Sequence, residues 1–232
     1  MKVYGKGFIA FNLKKIKLPK KIFIYAAGVS NSNSKNVKDY KREITQIKKV
    51  VKKKTNKIFV YISSLSVENK KLKNDKYIKN KLKIEKIVKK SCKKYLIIRL
   101  PQIVGINNNK HTLTNSLYNN ILKNKQLSIW KGSVRNLIDI DDIKKILKKY
   151  FNSKYKPCST INIFNPYSVD VVYLVRIFGY LLNKRVKFKL INKINKNINL
   201  KSIKRETILP LNYYKNIKNK DYIKRVLKKY YL

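Results

Sequence analysis

The feature that most constrains this chain is the alternation, through its first half, of short apolar runs with amphipathic segments. Met1–Tyr4 runs into Gly5, and Ile22–Ala27 stops at Gly28. Ile58–Ile62 stops at Ser63-Ser64, and Tyr95–Leu100 stops at Pro101. These runs are rich in β-branched and aromatic residues and end on turn signals, which predicts strands. Between them, Asp39–Lys53 places Tyr40, Ile44, Ile47, Val50 and Val51 on one helical face. Tyr77–Lys90 does the same with Ile78, Leu82, Ile84, Ile87 and Val88. Strand, helix, strand, helix, strand is the pattern of a parallel sheet with crossover helices, so an α/β fold is expected.

The second half is less regular. Residues 106–134 are Asn-rich, with a helix expected over Leu113–Leu122. Leu137–Ile140 and Ile161–Phe164 predict strands. Asp141 or Asp142 is positioned to cap a helix over Ile143–Phe151, and Ser168 to cap an apolar helix running to Leu182. That last helix contains Asp170 and Arg176 and is too short to span a bilayer, so it is expected to be buried and no membrane partner is predicted. The tail from Asn192 onward is weakly periodic. No leader-like segment stands out at the start.

Lys and Arg total 58 against 11 acids, a formal charge of +47. One explanation is nucleic-acid binding through phosphate contacts. The other is a composition drifted toward Lys, Asn, Ile and Tyr, as an AT-rich coding sequence favours. The charge is mostly Lys, whereas bidentate phosphate recognition leans on Arg. It is also spread along the whole chain. A weak, salt-sensitive interaction is therefore expected, with no specific nucleic-acid partner. Cys92 and Cys158 lack metal spacing, His111 is the single histidine, and no metal site is expected. Reduced cysteines suit a cytoplasmic chain.

Four pieces carrying chemistry occur in order. Gly5-Lys6-Gly7-Phe8-Ile9-Ala10 is a G-x-G-x-x-A after a strand, where missing side chains let backbone N–H groups approach a pyrophosphate. Ala26-Ala27-Gly28 leaves room at a strand end. Ser63-Ser64 is followed by Tyr77 and Lys81, four residues apart on one helical face. There a lysine charge favours the ionised form of a tyrosine acid/base, and a serine hydroxyl shares the reacting oxygen. Tyr150/Lys154, Tyr180/Lys184 and Tyr214/Lys218 have the same spacing, so position and not spacing singles out Tyr77/Lys81. The fourth piece is Arg99-Leu100-Pro101-Gln102-Ile103-Val104-Gly105, followed later by Arg135-Asn136-Leu137-Ile138-Asp139-Ile140-Asp141-Asp142.

In these stretches, in this order over residues 1–165, the chain resembles the NAD(P)-dependent epimerase/dehydratase family, the extended short-chain dehydrogenases. The resemblance implies a Rossmann-like, doubly wound parallel sheet over residues 1–165, with part of the substrate region at 106–134. A small C-terminal substrate-binding region would follow at 166–232. The sheet should be reduced in strand number, because Phe11 to Lys21 has room for one short helix only. That shortening removes the usual acidic residue on the adenosine ribose, so NAD and NADP are not distinguished.

Carried over by motif, Gly5, Gly7, Phe8, Ile9 and Ala10 would lie at the cofactor pyrophosphate, and Ala26, Ala27 and Gly28 along the cofactor groove. Pro101 and Ile103 would pass beside the nicotinamide, with Gln102 toward the substrate. Ser64, preferred to Ser63, Tyr77 and Lys81 would be catalytic. Arg135 would hold the substrate diphosphate, its alternative being a surface ion pair with nearby Asp residues. The implied activity is that of an NAD(P)-dependent oxidoreductase or epimerase on a nucleotide-linked sugar, in a surface-polysaccharide setting, with room for a homodimer. The competing class is an inactive Rossmann scaffold that binds or regulates, with RNA on its basic surface.

Overall fold

A computed structural model describes residues 1–232 apart from 33, 35, 54–55, 154, 194–196, 201–202 and 204–218. The described elements run β1 (Lys2–Tyr4), α1 (Phe8–Leu13), β2 (Ile22–Tyr25), α2 (Val37–Lys52), β3 (Ile58–Ser64), α3 (Lys76–Ser91) and β4 (Tyr95–Leu100). Next come β5 (Gln102–Val104), α4 (Leu113–Leu122), β6 (Leu127–Trp130), β7 (Val134–Arg135), β8 (Leu137–Asp139) and α5 (Ile140–Ser153). The chain ends with β9 (Ser159–Asn162), β10 (Val169–Asp170), α6 (Val171–Leu181), β11 (Phe188–Ile191) and α7 (Asn219–Tyr231). They fall into two compact units, one built mainly from Met1–Pro101 and Ile140–Ile163, the other from Gln102–Asp139, Phe164–Leu200 and the C-terminal helix. The chain passes between them more than once, so no single cut separates them.

The first unit is a parallel five-stranded sheet in the order β1-β2-β3-β4-β9. β2 is buried along its whole length and β3 nearly so, as strands covered on both faces must be. Phe23, Tyr25, Phe59, Tyr61 and Ile97 form one face and pack with Ile47 and Val51 of α2 and Ile84 and Val88 of α3. The alternate positions Ile22, Ile24, Val60, Leu96 and Ile98 are buried too, which leaves that side to α1 and α5, helices in contact with each other. The sheet is the reduced, Rossmann-like one expected, and the strand order does not reverse. β1, half-exposed at Val3, is the edge where a fuller sheet would continue.

The second unit has three strand pairs. β5 and β8 are parallel, β6 and β11 are parallel, and β7 and β10 are antiparallel. Its core joins Leu117 and Ile121 of α4, Leu174, Val175 and Phe178 of α6, and Tyr222, Ile223, Val226 and Leu227 of α7. The weakly periodic tail thus ends in a docked helix. Tyr222 Oη accepts from the Asp139 backbone N–H at 2.8 Å, and Lys229 Nζ donates to the Asp139 carboxylate at 2.8 Å. No described helix is long and apolar enough to cross a membrane.

Three local expectations need correction. The short helix expected within Phe11–Lys21 begins earlier, at Phe8, directly on the glycine turn. α5 starts at Ile140, straight out of β8, so Asp141 and Asp142 lie inside its first turn, where their charge suits the helix dipole and neither caps it. Asp170, not Ser168, caps α6, accepting from the N–H groups of Val172 and Tyr173 at 2.8 and 3.1 Å.

Candidate active site

The glycine turn is packed at Gly5 and open at Gly7. Gly5 has φ +138°, a conformation that favours glycine. A Cβ there would lie 2.5 Å from the Ala26 carbonyl oxygen and 2.9 Å from Ala10 Cβ. Gly5 therefore lets the end of β1 press against the end of β2, where the Ala26 N–H donates to the Tyr4 carbonyl at 2.8 Å. Gly7 differs: it has ordinary extended backbone, and a Cβ there would meet nothing within 4 Å. No side chain caps α1, which follows with Phe8 and Ile9 half-buried and Ala10 buried. The turn thus suits a pyrophosphate that needs backbone N–H groups and empty space. Beyond β1 the described residues add no further strand to this sheet.

Ala26, Ala27 and Gly28 follow β2 and are half-buried. The space left by Gly28 is taken by the protein itself. A Cβ on Gly28 would lie 2.4 Å from Lys81 Nζ and 2.8 Å from Glu43 Oε1.

The serines separate cleanly. They are consecutive on β3, so they point to opposite faces. Ser63 is buried and donates to Glu85 Oε1 at 2.6 Å. Glu85 also pairs with Arg99, whose other carboxylate partner is Glu68, both at 2.6 Å. Arg99 is therefore a structural clamp between α3 and the segment after β3. Ser64 Oγ accepts from the Ser66 N–H at 3.2 Å, and its own proton has no partner among the described residues.

Tyr77 lies in the first turn of α3, which Asp75 caps by accepting from the N–H groups of Tyr77 and Ile78 at 2.9 and 3.3 Å. Its ring is nearly buried beside Tyr40, Val29 and Ile78. Lys81, one turn on, has its Nζ 5.5 Å from the Tyr77 ring centre and 5.6 Å from that of Tyr61. No hydrogen bond to the Tyr77 hydroxyl occurs among the described residues, and none joins Tyr77 to Ser64. The structure brings Tyr77 and Lys81 together as the helical spacing requires. Of the other tyrosine–lysine pairs, Lys154, Tyr214 and Lys218 lie outside the described residues. Tyr180 is 73% exposed, with Lys224 over its ring.

Sequence reasoning missed Glu43. It lies on α2 at 1% exposure and accepts four hydrogen bonds. Lys81 Nζ and Tyr61 Oη donate to Oε1 at 2.9 and 3.1 Å, and the Val29 N–H and Asn80 Nδ2 donate to Oε2 at 3.0 and 3.1 Å. Burial first, and then the Glu43 charge, push the Tyr61 hydroxyl well above the usual phenol range, so it remains a donor. A signal was present: Glu43 is three residues after Tyr40 and four before Ile47, on the apolar face of its helix.

Pro101 is half-buried between β4 and β5, while on β5 Gln102 is exposed and Ile103 half-buried. Arg135, in the second unit, lies over Trp130, its guanidinium carbon 5.9 Å from the ring centre, and donates to the Val134 carbonyl at 2.8 Å. Burial lowers its pKa, and it forms no ion pair among the described residues, so the surface pairing with Asp is not what it does.

A parallel five-stranded sheet flanked by helices, with a glycine turn after its first strand, is a Rossmann-like fold. The chain has the fold of the NAD(P)-dependent epimerases, dehydratases and reductases of nucleotide sugars. No protein-family model and no curated protein sequence matches it. Solved structures do. dTDP-4-dehydrorhamnose reductase from Bacillus anthracis in complex with NADP matches at TM-score 0.68 and 14% identity, over 91% of this chain and 80% of that one. UDP-N-acetylglucosamine 4-epimerase from Methanobrevibacter ruminantium in complex with UDP-N-acetylmuramic acid gives 0.66 and 17%, over 94% and 77%. dTDP-glucose 4,6-dehydratase from Bacillus anthracis in complex with NAD gives 0.65 and 15%, over 90% and 70%. At such identities the likeness is one of fold.

Proposed function

We propose that this chain is an NAD(P)-dependent enzyme that oxidises or reduces a hydroxyl-bearing carbon of a nucleotide-linked sugar, as an epimerase, dehydratase or reductase in surface-polysaccharide precursor synthesis. The observation that carries the reading is Tyr77 beside Lys81 at the carboxyl ends of a sheet whose first strand opens into the uncapped Gly5–Gly7 turn. NAD or NADP is the cofactor proposed, with its pyrophosphate on the backbone of Gly5, Gly7, Phe8, Ile9 and Ala10. Ala26 and Ala27 would border it, with Pro101 toward its nicotinamide end. The nicotinamide supplies the hydride acceptor or donor.

The protein's own part is to bind, orient and move one proton. In the oxidative direction the Tyr77 hydroxyl oxygen, as phenolate, takes the proton of the sugar hydroxyl as its C–H bond yields hydride. In the reductive direction the proton returns from Tyr77 to the new alkoxide. The uncommitted Ser64 proton supports a role as donor to the same sugar oxygen. Arg135, desolvated and without an ion pair among the described residues, suits a diphosphate in bidentate contact, with Gln102 proposed as a further polar group for the substrate. One observation favours the competing reading of an inactive binding scaffold: Lys81 is already tied to a buried carboxylate.

The test is a binding titration with NAD(H) and NADP(H), followed by a turnover screen over nucleotide sugars. Tyr77→Phe should retain cofactor binding and lose about two to four orders of magnitude in turnover, the usual range for a general acid/base. Ser64→Ala should cost less. Turnover of Tyr77→Phe at the parent rate would move the chain to the binding-scaffold class.

A further inference from the structure

The chain has only 11 acids against 58 basic residues, yet one of those acids is held at 1% exposure against Lys81, itself 3% exposed. Four donors from three segments of the first unit fill the acceptor positions of Glu43: Val29 after β2, Tyr61 on β3, and Asn80 and Lys81 on α3. Gly28 is part of the same construction, since any side chain there would displace Lys81 Nζ or Glu43 Oε1. A buried pair replaced by apolar residues is often no less stable, so stability alone is a weak reason to build it.

Its electrostatic consequence is direct. At 2.9 Å, away from solvent, the pair is little screened, and a neighbour feels a dipole instead of a full positive charge. The neighbour is Tyr77, whose ring centre is 5.5 Å from Lys81 Nζ. The other ionisable groups around the pair do not supply the balance. Burial is the first cause raising the hydroxyls of Tyr25 on β2, Tyr40 on α2 and Tyr61 on β3, which keeps them neutral at ordinary pH. Asp75 caps α3, and Glu85 is paired with Arg99. Arg42 is exposed and bonded to Asp39.

We infer that Glu43 is a positioning residue: it fixes Lys81 Nζ beneath Gly28 and sets, by partial compensation, how much positive charge the Tyr77 hydroxyl experiences. Its importance for turnover rests on the acid/base reading above, but the electrostatic assignment does not. Glu43 does this through Lys81, without touching cofactor or substrate itself.

The experiment uses the full chain with tyrosines labelled with 13C at ring Cζ, the Tyr77 signal being assigned from Tyr77→Phe. Its titration midpoint is followed in the parent, Glu43→Gln, Lys81→Met and the double variant. Glu43→Gln should lower the midpoint by about one pH unit or more, because Lys81 is then uncompensated. Lys81→Met should raise it by a similar amount, and the double variant should return near the parent. If Glu43→Gln does not fold, Lys81→Met against the double variant carries the comparison, and equal midpoints there overturn the inference. Unmoved midpoints in both folded single variants also overturn it. The readout needs neither cofactor nor turnover. Shifts as expected in a protein that turns over no nucleotide sugar would sink the enzymatic reading and leave this one standing.

Discussion

Gly7 and Gly28 both lie in loops at the carboxyl end of the sheet, and their surroundings are opposite. A methyl group on Gly7 would meet nothing within 4 Å, while one on Gly28 would come 2.4 Å from the Lys81 ammonium. The first region leaves its backbone open. The second is closed on itself, with a carboxylate holding four donors and a lysine it partly neutralises. Both would look alike to a scan for small residues at strand ends, yet only the first leaves open space beside its backbone. The comparison teaches that a glycine at a strand end is evidence for a ligand only when its missing Cβ faces space that no other part of the chain fills.

The sharpest way to break the closed region is Glu43→Ala. It leaves Lys81 charged, buried and unpaired, and strips acceptors from Tyr61, Asn80 and the Val29 N–H. Stability should fall by about 3–5 kcal/mol, the range for breaking a buried pair from one side. Urea denaturation with fitted midpoint and slope measures it. A loss under about 1 kcal/mol would mean that water reaches the pair readily and that the region is not closed.

Two glycine replacements come next. Gly5→Ala should cost about 3 kcal/mol, because it combines a backbone at φ +138° with a contact on the Ala26 carbonyl, which cannot rotate away. Gly28→Ala should cost about 1–2 kcal/mol, because the atoms it meets are the ends of two side chains that can shift, though only by loosening their hydrogen bonds. The order matters more than either value. A larger cost at Gly28 than at Gly5 would make the Glu43–Lys81 corner the stiffer of the two.

Much of this was legible in the sequence, for particular reasons. β2, β3 and β4 are buried along most of their length, so their residues form near-continuous apolar runs, interrupted in β4 by Arg99, with clear stops. α2 and α3 each have one buried face, and their periodicity gave bounds within two residues of those observed. Tyr77 and Lys81 meet because helical spacing is local. The start of α5 was not legible, because β8 feeds it without a turn and the two acids that look like caps are already inside it. Nor was Ser168 against Asp170, since either side chain can cap and only the position of the first helical residue decides. Glu43 was harder still. Its partners lie 14, 18, 37 and 38 residues away, and no short-range pattern brings them together. What the sequence did offer was an acid on an apolar helix face in a chain nearly devoid of acids.

Gly7→Val should change stability least of the set and function most. Its backbone is extended at φ −78° and ψ 175°, which any residue adopts, and its Cβ direction is open. The only structural penalty is a poorer residue ahead of α1, worth less than about 1 kcal/mol. The same open space is what a pyrophosphate needs, because backbone N–H groups bind it only when nothing stands between. A branched side chain there should therefore abolish NAD(H) and NADP(H) binding in a protein whose unfolding curve hardly moves. Calorimetric titration beside urea denaturation separates the two effects. Unchanged dinucleotide affinity in the folded variant would remove the turn from the binding site. Lost affinity together with a stability loss as large as that of Gly5→Ala would mean that Gly7 is packed after all, and the contrast between the open and the closed strand end would collapse.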